Sequence, residues 1–332
     1  MARYSFMTCA NRFMKIYEQT VSDTTAFHAG RKLRFMARKF TKLEIEGRIT
    51  TSNPMHMKPT DIIEYVKERR KDEVDDSTIN KEISILNQLM TYFGNNAVKA
   101  FRAIGGQYKP KKYTGRKQPL TDEIIEKIYE LTRRTRDWEI LEGCMAAILV
   151  VSTGIRTEEA RIFDIDGIHL DGNRSYIYIE KVKGQGTYGI PRTSPIMDDV
   201  EDIFEKYLER RKFMLNLYSR SKAMFPNFIY RSKDPYLSQQ NFCKLKVPVE
   251  NELGVKFEIR AGRRAFGQRA IDRGHNLTDI SVVMGHTSTR TTERYYCRMK
   301  NDNALENMFR VKNGKSSDNE DLPWIPRVRL PE

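Results

Sequence analysis

Residues 105–118 constrain the fold more than any other stretch, because Gly105, Gly106, Pro110 and Gly115 there interrupt a chain otherwise patterned for helices. The same stretch holds Lys109, Lys111, Lys112, Arg116 and Lys117 and no acidic residue. A segment this polar and this rich in breakers carries few core contacts, so it reads as a basic linker between two separately packed bodies. A chain of 332 residues is long enough to bury two cores. The expected organisation is a helical domain over 1–104, the linker over 105–118, a second domain over 119–311 and a tail over 312–332. That tail is polar and then ends in Leu322, Pro323, Trp324, Ile325 and Pro326.

Upstream of the linker the apolar residues recur at helical steps, in Leu33, Phe35, Met36 and Phe40 and again in Ile62, Ile63, Tyr65 and Val66. Pro59-Thr60-Asp61 and Asp76-Ser77-Thr78 have the composition of helix starts, so a module of about four helices is predicted. Downstream, Leu120-Thr121-Asp122 opens a new helical pattern, and an apolar helix runs from Leu141 through Val151. Between Ser175 and Ile190 the period changes to two: Tyr176 and Tyr178 fall on one face, Ile177 and Ile179 on the other, with Gly184, Gly186 and Gly189 following. A small hairpin or three-stranded sheet is expected there, with helices resuming near Asp198. The fold class predicted is mainly α with a small β-sheet, an all-helical domain followed by a mixed α+β one.

Charge narrows the partner. The formal net charge is +14, and residues 1–118 hold 23 Lys and Arg against 12 Asp and Glu, so the surplus is concentrated in the first third. A basic surface of this kind attracts polyanions by releasing their counterions, which makes nucleic acid the default partner. Cys9, Cys144, Cys243 and Cys297 are scattered without a C-x-x-C pair and read as ordinary reduced thiols, with no metal site implied. No apolar run approaches the roughly 18 residues needed to span a bilayer, and the N-terminus lacks a secretory pattern. The expected location is the cytoplasm, with no membrane partner.

Four separated segments then carry cationic or nucleophilic groups. In Thr153-Gly154-Ile155-Arg156-Thr157-Glu158-Glu159 a glycine turn presents Arg156 at the start of a helix, where anions are favoured. Lys181-Val182-Lys183-Gly184 follows the alternating strand; a lysine in such a turn is ordinarily just solvated. Arg260-Ala261-Gly262-Arg263-Arg264 opens another helix, with Arg260 and Arg263 three apart on one face, where they repel unless an anion lies between them. Finally, Gly285-His286 is followed nine residues after the histidine by Tyr295, with Tyr296 beside it.

The order T-G-x-R-x-x-E, hairpin K-G, R-x-G-R-R and G-H-x-S-x-x-T-T-x-x-Y resembles the catalytic domain of the tyrosine recombinases, the lambda-integrase family, over about residues 120–308. The helical module before it resembles their core-binding domain. The resemblance implies a site-specific recombinase that cleaves and rejoins double-stranded DNA through a 3′-phosphotyrosyl intermediate, with no cofactor, metal or ATP. It implies Tyr295 as nucleophile, Arg156 and Arg263 on the non-bridging oxygens of the scissile phosphate, and Lys183 as the acid for the leaving 5′ oxygen, with Lys181 the runner-up. His286 would bond the phosphate and Glu159 would support the site. It also implies a homo-tetramer on two DNA sites, monomeric or dimeric when free, acting on mobile elements by integration or a related exchange. By their charge the linker residues Lys109, Lys111, Lys112, Arg116 and Lys117 suit a segment lying along a DNA backbone, and equally a plain solvated tether.

One position departs from the pattern. Where most members carry histidine three residues before the second arginine, this chain has Arg260, which stays protonated and cannot accept the phenol's proton. Arg260 is then expected to contribute charge while the proton leaves to water, to His286 or to the phosphate. Two other readings stand beside recombination: relaxation of DNA by the same chemistry, as in a type IB topoisomerase, and a non-catalytic protein that only holds phosphates.

Overall fold

Ser5, with extended backbone, accepts a hydrogen bond from the Thr8 amide and so starts the first helix, α1 (Phe6–Tyr17). The computed structural model describes residues 5–111, 117–182, 184–186, 189–216, 221–228 and 234–295. The chain divides into two compact units, Met1–Gly115 and Arg116–Glu332. Among the described residues no helix is long and apolar enough to cross a membrane.

The first unit continues with α2 (Asp23–Ile45), α3 (Pro59–Lys71), α4 (Asp76–Tyr92) and α5 (Ala97–Ile104). Both helix starts read from the sequence, at Pro59 and Asp76, fall where expected. Among the described residues the α-helices of this unit number five, against the four or so expected. Its core is aromatic: the Phe40 ring stacks on Phe6 at 5.6 Å and on Tyr65 at 4.6 Å, with Leu33, Met36 and Ile62 buried around them. Each such side chain contributes roughly 1.5–3 kcal/mol by leaving water. A charged pair is buried in this unit: Arg69 forks onto Glu82 at 2.9 and 3.0 Å, and the Tyr65 hydroxyl donates to the same carboxylate at 2.8 Å.

Residues 105–111, expected as linker, are held on this unit. Arg70 donates to the Gln107 carbonyl at 3.0 Å, Asn80 donates to the Lys111 carbonyl at 2.9 Å, and the Lys111 amide donates to Asp76 at 2.7 Å. The glycines and proline that break the helical pattern here shape a short 3-10 turn, Gly106–Tyr108, rather than free chain.

The second unit is built around α7 (Trp138–Thr153), whose residues from Leu141 to Thr153 are all buried. Around it pack α6 (Asp122–Arg134), α9 (Glu201–Asn216), α11 (Lys246–Leu253) and α12 (Ile259–Asp272). Gly262 allows α12 to close on α7, since a β-carbon there would stand 2.8 Å from a methyl of Val151. The remaining helices are α8 (Thr157–Arg161), α10 (Gln239–Lys244), α13 (Leu277–Val283) and α14 (Thr289–Tyr295). Three antiparallel strands, β1 (Ile168–His169), β2 (Tyr176–Ile179) and β3 (Arg192–Pro195), lie in chain order. In β2, Ile177 and Ile179 face the core and Tyr176 and Tyr178 are exposed, as the alternation predicts, and Ile177 pairs with Ser194. The protein is mainly α with a small β-sheet.

Candidate active site

The apolar helix α7 ends because Gly154 takes a left-handed conformation, φ 63°. Ile155 is pulled into the core, and Arg156 becomes the cap of α8. Glu159, in the first turn of α8, accepts from the Arg156 amide at 3.1 Å and from its guanidinium at 2.8 Å. The same carboxylate receives Arg192 of β3 at 2.6 Å. Strand β3 is fixed on the end of α7 by Ser194, whose hydroxyl donates to the Thr153 carbonyl at 2.6 Å, and this delivers Arg192 to the site.

Three guanidiniums converge on three successive carbonyls at the end of α13. Arg192 Nε donates to Val283 at 3.0 Å, Arg263 to Met284 at 2.6 Å, and Arg156 to Gly285. A helix C-terminus carries unpaired carbonyls and partial negative charge, so it suits cations. Arg263, buried in the second turn of α12, also donates to the Gly154 carbonyl, tying the two glycine turns together. Gly285 itself, at φ 66°, lies so close to Arg192 that a β-carbon would stand 2.8 Å from its Nε.

His286 follows that turn. Its Nε2 lies 2.8 Å from an Arg263 nitrogen, and its Nδ1 lies 2.7 Å from the hydroxyl of Thr292 on α14. Burial, then the charges of Arg263, Arg156 and Arg192, drive its pKa down to about 3, so the ring is neutral. Glu159 goes the other way for a carboxyl: burial would raise it, but Arg192 and then Arg156 outweigh burial and hold it at about 2. One carboxylate therefore takes two guanidiniums with a third, Arg263, in the same network, and the cluster keeps a surplus of positive charge.

The structure thus joins Arg156, Glu159, Arg263 and His286 in one hydrogen-bonded network. Arg260 is outside it: three residues before Arg263 on α12, its side chain is exposed and makes no hydrogen bond or ion pair with another described residue. Positions three apart on a helix differ by about 60° around its axis, enough here to separate a buried from a solvated guanidinium. Lys181 is also engaged elsewhere, donating to Asp164 at 2.6 Å and to the Tyr236 hydroxyl. Tyr295 is the last residue of α14. Its side chain, together with Lys183, Tyr296, Lys112, Arg116 and the tail over 312–332, lies outside the described residues. Of the other linker cations, Lys117 is exposed, while Lys109 donates to the Ala103 carbonyl at 3.0 Å. Arg192 was missed by the sequence reading, because nothing local marks it: its carboxylate partner lies 33 residues earlier.

The first unit carries a separate basic groove of about 1000 Å³, lined by Arg31, Lys32, Arg34 and Arg38 of α2 with Phe27 and Phe35.

A model of the phage integrase family matches residues 118–302. Among curated proteins, the tyrosine recombinase XerC of Roseiflexus castenholzii is 22% identical over 238 residues, 71% of this chain and 72% of that one. The tyrosine recombinase XerD of Listeria monocytogenes serotype 4b is 21% identical over 283 residues, 84% and 90%. Among solved structures, the XerH site-specific recombinase bound to palindromic difH substrate, a post-cleavage complex, aligns with TM-score 0.67 at 17% identity. It covers 93% of this chain and 96% of that one. The Tn1549 transposon integrase in complex with circular intermediate DNA aligns with TM-score 0.63 at 16% identity, over 92% and 99%. At these identities the structural likeness is one of fold.

Proposed function

The chain belongs to the phage integrase family of tyrosine recombinases, and from that premise we propose that it cleaves and rejoins double-stranded DNA at a specific site through a phosphotyrosine at Tyr295. The observation that carries this reading is the cluster on the Val283–Gly285 carbonyls: three guanidiniums and a neutral histidine with the single carboxylate of Glu159 on two of the three, a surplus of fixed positive charge suited to one phosphodiester. Attack on phosphorus concentrates negative charge on the non-bridging oxygens, so guanidiniums already in place favour the transition state over the ground state. Arg156 and Arg263 take those oxygens, and Glu159 keeps the Arg156 fork in position.

The phenolic oxygen of Tyr295 forms the new bond to phosphorus as the bond to the 5′ oxygen breaks, and Lys183 gives that oxygen its proton. The phenol, with an unperturbed pKa of about 10, loses its own proton as it attacks. Arg260 cannot take it. In the DNA-free site His286 is a poor acceptor, since burial and three arginines oppose its protonation, so the proton leaves to water or to a phosphate oxygen. Arg260, exposed at the start of α12, adds charge toward the DNA. A 5′ hydroxyl of another strand then attacks the phosphotyrosine and releases Tyr295, so rejoining draws on the bond energy stored in the intermediate. Neither metal nor ATP takes part.

The basic groove along α2 and the linker residues Lys109, Lys111, Lys112, Arg116 and Lys117 hold the duplex by its phosphates. The working form is a homo-tetramer on two sites in the cytoplasm. Incubation with nicked suicide duplexes tests the reading: a covalent protein–DNA adduct on denaturing gels, retained in Tyr296→Phe and lost in Tyr295→Phe, is expected. No adduct on any DNA overturns it, and relaxation of plasmids without exchange of partners transfers the chemistry to a topoisomerase.

A further inference from the structure

Thr292 has no part in the chemistry above, yet it is fully buried and its hydroxyl joins two elements of the site. It lies 2.7 Å from His286 Nδ1 and 2.6 Å from the Ser281 hydroxyl of α13, which in turn donates to the Leu277 carbonyl at 2.7 Å. The direction of every bond follows from proton supply. Ser281 has one hydroxyl proton and gives it to Leu277, so it must accept from Thr292. Thr292 has then given its own proton, so its oxygen accepts, and His286 Nδ1 must be the donor. The other side of the ring agrees: a guanidinium can only donate, so Nε2 accepts from Arg263.

We propose that Thr292 is a positioning residue for the strand-transfer reaction, holding the proton of His286 on Nδ1 so that Nε2 turns its lone pair to the phosphate-binding guanidiniums, and tying that ring to the helix that ends in Tyr295. The proposal rests on the recombinase reading for its consequence and on the hydrogen-bond chain for its geometry. Thr292 stands three residues before Tyr295 on α14, so the imidazole and the nucleophile's helix share one fixed reference. A side chain that merely filled space would do neither: the isosteric valine would serve as well, and Arg263 alone would be left to fix the tautomer.

The test uses the full chain labelled with 15N-histidine, free of DNA. Of its five histidines, His286 is identified by the signal lost in His286→Gln, and its nitrogen shifts report which atom carries the proton. The wild-type chain and Thr292→Ser should hold it on Nδ1, whereas Thr292→Val, which leaves the Nδ1 proton without an acceptor while Arg263 still opposes one on Nε2, should mix the two tautomers. Should the valine variant not fold, Ser281→Ala, which leaves the Thr292 proton without its acceptor, should mix the two tautomers. A second arm uses nicked duplexes drawn from a random pool by trapping on the wild-type chain. Thr292→Val should form adduct about tenfold more slowly, the worth of one buried hydrogen bond, with DNA affinity within about twofold and the rate restored by serine. A wild-type proton on Nε2, an unchanged tautomer in Thr292→Val and Ser281→Ala, or a valine rate equal to wild type overturns the proposal. Failure of the wild-type chain to trap any DNA instead removes the recombinase reading, while the tautomer measurement still decides the hydrogen-bond chain.

Discussion

Each unit buries arginine against glutamate, and the two do it differently. In the first, Arg69 meets Glu82 and Asp72, with a tyrosine hydroxyl completing the shell, so charge is closed locally. In the second, the single carboxylate of Glu159 takes Arg156 and Arg192, while Arg263 beside them donates to the Met284 carbonyl and meets His286. Carbonyls satisfy hydrogen bonds without cancelling charge. A closed cluster serves stability, and breaking one partner leaves an uncompensated ion; an open one keeps a field ready for an anion.

The largest effect expected from this difference is on chemistry. Arg263→Lys keeps the charge and loses the fork, and should slow adduct formation by about 100- to 1000-fold in single-turnover trapping. Arg69→Lys, corrected for folded fraction, should stay within about twofold of wild type. Equal losses would erase the distinction between the clusters. Stability should answer in reverse: Glu82→Gln removes the buried carboxylate of Arg69, leaving it Asp72 alone, and should cost about 3 kcal/mol, read as a lower urea midpoint, with the trapping rate of the folded protein unchanged.

Acid should expose the second cluster next. The Glu159 carboxyl sits at about 2 in the folded chain against an ordinary 4.5, so between those values the unfolded chain binds the extra proton and folding weakens as pH falls. That loss, on the order of 2–3 kcal/mol, should begin near pH 4.5, be complete near pH 2, and be missing from the pH profile of Glu159→Gln. The smallest test compares two glycines with positive φ. Gly94, at φ 79°, has open space where a side chain would go, whereas Gly285 faces Arg192. Gly94→Ala should cost about 1 kcal/mol in thermal unfolding, and Gly285→Ala about 1 kcal/mol more.

The sequence carried the architecture where the signal was local. Helix starts at Pro59 and Asp76, the buried run of α7 and the alternation of β2 are set by neighbours a few residues apart, and all were legible. So were Arg156, Glu159, Arg263 and His286 as a group, because motif order stands in for distance. Contacts across the chain were not legible. Arg192 joins the site only because β3 docks on the end of α7, Thr292 matters only because α13 and α14 meet, and residues 105–111 look free until Asp76 and Asn80 are placed beside them. The shared face expected of Arg260 and Arg263 held as helical geometry, but which of the two the core would cover depended on how α12 lies against α7.

The carbonyls of Val283, Met284 and Gly285 have a consequence for selectivity. They are ligands of the three arginines, so an incoming oxyanion must compete with the protein's own main chain. A small free anion offers little beyond the bonds it displaces, whereas a phosphodiester within a duplex arrives already held by its neighbours and can win the exchange. The turn before His286 thereby gives the three guanidiniums a ligand of their own that any anion must displace.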